Sequence, residues 1–177
     1  MESSEGFGIC LCGLNGSGKT TLGRELAKVL GFRHLDAEDY FFLPAEIPYS
    51  CPRPREEALT LLLADMRKTP RFVLSVVQGD MGEAITSMYR LVVYLDVPRG
   101  ERMARVKRRA MNLFGDRMLP GGDLYDQEQA FLRFVAGRSA DGIETWLQTL
   151  SCGILRLNGA ESIDSNIERI RSCMNAC

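Results

Sequence analysis

The stretch that most constrains this chain is Gly13-Leu14-Asn15-Gly16-Ser17-Gly18-Lys19-Thr20, a G-x-x-x-x-G-K-T sequence set between a hydrophobic run and a helical pattern. Phe7, Ile9, Cys10, Leu11 and Cys12 read as a buried strand. Leu22, Leu26, Val29 and Leu30 recur at helical spacing over 21–30, and Gly31 stops the pattern. Strand, glycine turn and helix in that order make a phosphate-binding loop, because successive backbone N–H groups and the positive end of the helix converge on one anion. In that frame Gly13, Asn15, Gly16, Ser17, Gly18 and Thr21 cradle phosphate, Lys19 reaches the β- and γ-phosphates, and Thr20 offers its hydroxyl to Mg²⁺.

Composition narrows the partners. With 22 basic and 23 acidic residues the net charge is −1, so no global field draws the chain to nucleic acid or to a membrane surface. No apolar run approaches the roughly 18 residues that a membrane span needs, and no basic-then-apolar leader opens the sequence, so a cytoplasmic protein is expected. The six cysteines include no C-x-x-C pair, and Cys10 and Cys12 share one strand. Free thiols are expected rather than a zinc site or a disulfide scaffold. At 177 residues one hydrophobic core suffices.

Further strands alternate with helices. Phe32, His34 and Leu35 lead into Asp36, a carboxylate at a strand end, where parallel sheets bind ligands. Pro44, Pro48, Pro52 and Pro54 break residues 40–54 into an irregular loop carrying Tyr40, Phe41, Phe42 and Tyr49. A helix follows on Leu59, Leu62, Leu63 and Met66, then an apolar strand over 72–77 that ends in Gln78-Gly79-Asp80. Leu91 to Leu95 form the next strand. Met103, Val106, Ala110 and Leu113 mark a helix that carries Arg102, Arg105 and Arg109 on an adjoining stripe. The glycine-punctuated segment 114–123 is expected to move as a lid, followed by a helix over 124–136 with Leu124, Phe131, Phe134 and Val135 inward. A helix with Trp146, a strand through Leu155 and Leu157, the turn Asn158-Gly159-Ala160 and a last helix complete the pattern. The alternation predicts an α/β fold with a parallel sheet covered on both faces.

With these elements placed, the chain resembles the small P-loop kinases of the nucleoside monophosphate kinase, shikimate kinase and gluconate kinase group. The glycine loop with Thr21-Leu22-Gly23-Arg24-Glu25-Leu26-Ala27 is similar to the first helix of shikimate-type kinases, and Leu35-Asp36-Ala37-Glu38-Asp39 is similar to their strand-end D-x-D. Tyr94-Leu95-Asp96-Val97-Pro98 with Arg102 and Arg105 is similar to the strand and helix before their lid. The resemblance implies a three-layer fold whose five-stranded parallel sheet has the order 2-3-1-4-5. It also implies one kinase domain over residues 1–177, with a lid at about 111–123 and an acceptor-side loop at about 40–55, and ATP and Mg²⁺ as cosubstrates. Two departures stand out: Gln78-Gly79-Asp80 replaces a glycine triplet, and Glu38 replaces the second Asp of D-x-D.

Phosphoryl transfer needs the γ-phosphate held in line with an acceptor and its charge spread over cations. Lys19 and the arginines 102, 105, 109, 117 and 138 are the candidates, with Arg105 and Arg117 expected to close on the transferred group and Arg109 to contact ATP. Asp36 is placed as base, acceptor-orienting group or metal ligand, Asp80 as a second such carboxylate, and Gln78, Arg53 and Arg138 as acceptor contacts. By the same resemblance Asn158 and Gly159 wrap adenine with backbone atoms. The expected activity is ATP-dependent transfer to a nucleotide, nucleoside or small hydroxylated metabolite, by a monomer or homodimer without nucleic-acid or membrane partners. A P-loop regulator or ATPase without a small-molecule acceptor is the competing reading.

Overall fold

The computed structural model describes residues 6–176. Five strands, β1 (Phe7–Cys12), β2 (Arg33–Asp36), β3 (Arg71–Val76), β4 (Tyr89–Asp96) and β5 (Gly153–Asn158), form one sheet in the order β2-β3-β1-β4-β5. All four pairings are parallel, with Cys10 opposite Leu74 on one side and Val92 on the other. The expected order is the observed one.

Side-chain alternation along the strands divides the core into two layers. Cys10, Cys12, Phe72, Leu74, Val92 and Tyr94 pack on helices α3 (Arg55–Lys68) and α7 (Asp141–Leu147) through Leu62, Met66, Ile143 and Trp146. Ile9, Leu11, Val73, Leu91, Val93 and Leu95 pack the other way, on α1 (Lys19–Leu30) and α8 (Ile163–Ala176) through Leu22, Leu26, Ile167 and Ile170. Cys10 and Cys12 are buried thiols, while Cys51 is exposed.

α1 starts directly on the glycine loop and ends at Gly31, whose φ of 66° lets the chain turn back with Phe32 N–H donating to Ala27 O. Its buried face is Leu22, Gly23, Leu26 and Ala27, whereas Val29, expected inward, is 53% exposed. The reason is local: Gly23 lies so near the sheet that a Cβ there would stand 2.5 Å from Ser75 Oγ, which rotates the helix about that contact. Ser75 Oγ donates to Lys19 O at 3.1 Å and meets His34 Nε2 at 2.9 Å, so the one histidine braces the start of the helix from the neighbouring strand.

Beyond the sheet lies α2 (Ala37–Phe41), a helix outside the expected elements; Asp36 caps it by accepting the Glu38 N–H at 3.1 Å. Residues 42–53 then fold back, with Leu43 N–H donating to Cys51 O and Arg53 N–H to Phe41 O. A short helix, α4 (Glu83–Thr86), lies before β4. α5 (Arg99–Phe114) and α6 (Tyr125–Gly137) pair through Val106, Leu132 and Val135.

The segment between α5 and α6 is more regular than the glycine-punctuated loop expected there. It forms a 3-10 turn over Gly115–Met118, closed by Leu124 N–H on Arg117 O, with Met118 and Leu124 buried. On α6 the inward residues are Glu128, Leu132 and Val135, and Phe134 is 58% exposed. The stripe Leu124, Glu128, Leu132, Val135 has helical spacing, but the carboxylate at 128 hid it from a reading based on apolar residues.

Candidate active site

The C-terminal ends of β1, β2, β3 and β4 open into a cleft of about 1020 Å³ that the glycine loop borders. Gly16 has φ 83° and Gly18 φ 94°, a region that L side chains rarely adopt. A Cβ on Gly16 would stand 2.5 Å from Arg102 O, so this position also needs glycine for close approach. Gly13 lies beneath the loop rather than in the cleft: its N–H donates to Val77 O, and a Cβ there would press on Leu95 O and Ser17 Oγ.

Lys19 crosses the loop, its ammonium donating to Leu14 O at 3.3 Å and Ser17 Oγ at 3.5 Å. Burial lowers its pKa to about 8, partly offset by the Glu38 and Asp36 carboxylates. Thr20 Oγ1 donates to Asp36 Oδ2 at 2.8 Å, joining the start of α1 to the end of β2. A hydroxyl beside a largely buried carboxylate is the hard-oxygen donor set that suits Mg²⁺.

The arginines separate into four groups. Arg102 is buried and donates from Nε to Val97 O at 3.1 Å and from Nη1 to Asn15 O at 3.3 Å, which makes it a support under the loop. Arg105 lines the cleft but is tied to Gly16 O, Ser17 O and Gly159 O, with Glu101 paired to its other edge. Its guanidinium therefore sits on the side of the loop toward β5. Arg109 and Arg138 line the cleft; Arg138 donates to Asn15 Oδ1 at 3.1 Å and lies over the Phe134 ring at 5.2 Å.

Arg117 is placed elsewhere. It is exposed and grips Asp123 with two nitrogens, at 2.7 and 3.0 Å, outside the cleft lining. Its carboxylate partner is six residues on, where the 3-10 turn brings it back. Arg53 likewise pairs with Glu57, one helical turn away, and does not reach the cleft, whereas Arg55, over the Phe41 ring, does. Of the remaining expected residues Asp36, Thr21, Gln78, Asp80 and Gly159 line the cleft, and Asn158 does not. Asn158 spends its side chain on Ala160 N–H and its carbonyl on Asn166. Asp80 is exposed and also borders a second hollow, while Asp36 is the carboxylate that touches Thr20.

Several lining residues escaped the sequence reading. Glu38 enters because α2 begins at Ala37; Asp36 at a helix cap followed by Glu38 and Asp39 was the available signal. Tyr49, with φ 65° and its ring edge-on to Phe42 at 5.4 Å, turns back into the cleft. Burial and the adjacent Glu38 raise its hydroxyl to about 12. Phe134 and Asn166 arrive from α6 and α8, and nothing along the chain marks them.

Comparison with known proteins gives a consistent picture. The AAA domain family profile matches residues 9–117. The chain is 29% identical over 170 residues to the uncharacterized protein YqaC of Bacillus subtilis strain 168, covering 92% of this chain and 94% of that protein. It is 32% identical over 115 residues to a shikimate kinase of Synechococcus sp. strain RCC307, covering 60% of this chain and 59% of that one. Among solved structures, a sugar kinase from Janibacter sp. HTCC2649 superposes with a TM-score of 0.58 at 16% identity, over 96% of this chain and 95% of that one. The shikimate kinase of Acinetobacter baumannii in complex with shikimate gives 0.56 at 18% identity, over 96% and 93%. The chain belongs to the AAA domain family.

Proposed function

We propose that the chain is a cytoplasmic, single-domain kinase, active as a monomer or homodimer, that moves the γ-phosphoryl group of ATP to a small-molecule acceptor. The observation that carries this reading is one continuous cleft, bordered by the glycine loop, Lys19 and Arg138 together with Asp36, Glu38, Gln78 and Asp80. That arrangement suits transfer between two bound molecules, since a walled site admits an acceptor and limits water. Among the described residues no helix is long and apolar enough to cross a membrane.

In this reading the loop amides bind the β- and γ-phosphates, and Lys19, Arg109 and Arg138 spread the charge that moves onto the leaving oxygen. Thr20 and Asp36 would hold Mg²⁺, which when bound neutralises phosphate oxygens. Asp36 orients the acceptor, and Gln78 contacts it. The acceptor is a nucleotide, nucleoside or small hydroxylated metabolite. Hydroxyl acceptors suit the wall better, because Asp36 and Glu38, whose carboxylates act on Lys19, would repel an acceptor phosphate.

The test is an ATP titration with Mg²⁺ of wild type against Lys19→Ala, followed by an ATP-consumption screen over nucleotides, nucleosides and sugar acids. Equal affinity of the two proteins removes the site. ATP turnover that no acceptor increases overturns the kinase reading in favour of an ATPase.

A further inference from the structure

We propose that the acceptor is a nucleoside, an uncharged alcohol with a flat ring, and that Tyr49 selects it by offering its own ring as a stacking surface. The inference deepens the kinase reading above and rests on it.

Residues 47–50 form a tight turn in which Ser50 N–H donates to Ile47 O at 3.3 Å. Pro48 and Tyr49 are its central residues, and Tyr49 has φ 65°. A turn led by proline, with a left-handed residue next to it, ordinarily takes glycine or asparagine at that second place. Among the described residues Tyr49 is the one non-glycine with positive φ. Glycine would make the same bend without strain, so what tyrosine adds here is its ring and hydroxyl.

Tyr49 borders the cleft with its hydroxyl beside the Glu38 carboxylate. Glu38 follows closely on Asp36, which accepts the Glu38 N–H and the Thr20 hydroxyl. These contacts set the tyrosine next to the carboxylate that the kinase reading gives to the acceptor. The ring meets Phe42 edge-on, which leaves its faces uncovered by that neighbour, and the residue is 45% exposed. Phe41 and Phe42 border the same cleft, and Arg55 lies over the Phe41 ring at 5.8 Å. Stacking on such rings holds a base whatever its edge carries.

Charge narrows the class further. Asp36 and Glu38 accept hydrogen bonds from hydroxyls and repel a phosphate or a carboxylate. A nucleoside meets both demands, its base on the aromatic side chains and its ribose hydroxyls on the carboxylates. A sugar acid has no flat ring and would pair with Arg55 instead. In the transfer a ribose hydroxyl oxygen bonds to the γ-phosphorus, and the bond from that phosphorus to the β–γ bridging oxygen breaks, its electron pair leaving on ADP. The hydroxyl proton passes to an acidic side chain of the cleft and then to water.

The test measures ADP release from ATP with Mg²⁺ in the presence of adenosine, guanosine, cytidine or uridine, their 5′-monophosphates, ribose, gluconate or shikimate. At least one nucleoside should raise the rate about tenfold or more over the acceptor-free rate, with ribose and the 5′-monophosphates within twofold of it. Tyr49→Leu and Tyr49→Gly should raise KM for that nucleoside at least about tenfold, the size of one lost stacking contact, and Tyr49→Phe by less than threefold. All three variants should bind ATP within twofold of wild type. Tyr49→Gly should also unfold no earlier than wild type, because it relieves the strained turn, so its higher KM reports the missing ring and not a damaged fold. Turnover raised by gluconate, shikimate or a 5′-monophosphate but by no nucleoside overturns the inference and leaves the kinase reading intact. So does a nucleoside KM within threefold of wild type in both Tyr49→Leu and Tyr49→Gly. ATP turnover that no acceptor raises removes both readings.

Discussion

Replacing Arg102 by Met tests whether the shape of the phosphate loop is held from below. The side chain is 95% buried by its 5% exposure, and no carboxylate pairs with it among the described residues. Its removal leaves Val97 O and Asn15 O without their donors. Val97 is inside, so water cannot replace that bond, and the loss is about 1–3 kcal/mol. Asn15 is half-buried, and hydration returns part of its bond, leaving a loss of about 1 kcal/mol. Relief from burying an unpaired guanidinium offsets some of this, as replacing buried charges by apolar groups commonly does. A net destabilisation of about 1–3 kcal/mol remains, a fall in Tm of roughly 3–10 °C for a chain this size. The functional effect is larger than the fold effect. If the freed loop holds its binding shape only a tenth of the time, the apparent Kd for ATP rises about tenfold. Calorimetric ATP titration and thermal unfolding of wild type, Arg102→Met and Arg102→Lys check this. Lys, a point charge, reaches one carbonyl and should fall between the other two. An Arg102→Met protein that unfolds earlier but binds ATP within twofold of wild type refutes the coupling of this side chain to the loop.

Three further outcomes follow from the same geometry. Because burial lowers Lys19 to about 8, the free protein loses this charge above that pH, while bound phosphate favours the ammonium. ATP affinity should therefore be level below about pH 8 and fall by up to about tenfold per pH unit above it, with proton uptake on binding seen by calorimetry in buffers of different ionisation heat. Gly16→Ala must bring a Cβ to 2.5 Å from Arg102 O at φ 83°, so it should abolish measurable ATP binding while far-ultraviolet circular dichroism is kept. Arg117→Ala, by contrast, breaks an exposed pair outside the cleft, and ATP affinity in the same titration should stay within twofold of wild type.

The parts of the site legible in the sequence are those fixed by chain-local geometry or by strand order. The glycine loop is one turn between two adjacent elements, and Asp36 meets Thr20 because the ends of parallel strands share one edge of the sheet. The arginines were less legible. Arg102, Arg105 and Arg109 share one helix, but which of them supports the loop, lies beside it or reaches the cleft depends on how α5 crosses β1 and the loop. Arg138 was read as an acceptor contact, and its bond to Asn15 depends on α6 folding back along α5, a tertiary fact with no counterpart in spacing. The glycines of 114–123 signalled a loop but not the turn they permit, since the buried Met118 and Leu124 that close it stand among polar neighbours.

Asn15 is fastened twice, its carbonyl to Arg102 in the first turn of α5 and its side chain to Arg138 just past the end of α6. The two helices and the turn joining them thus form a handle whose both ends are bolted to a single residue of the nucleotide cradle. Spare residues spliced into the joining turn would lengthen the handle's tip without disturbing either bolt. The same insertion next to Pro98 or Arg138 would pull the cradle out of shape.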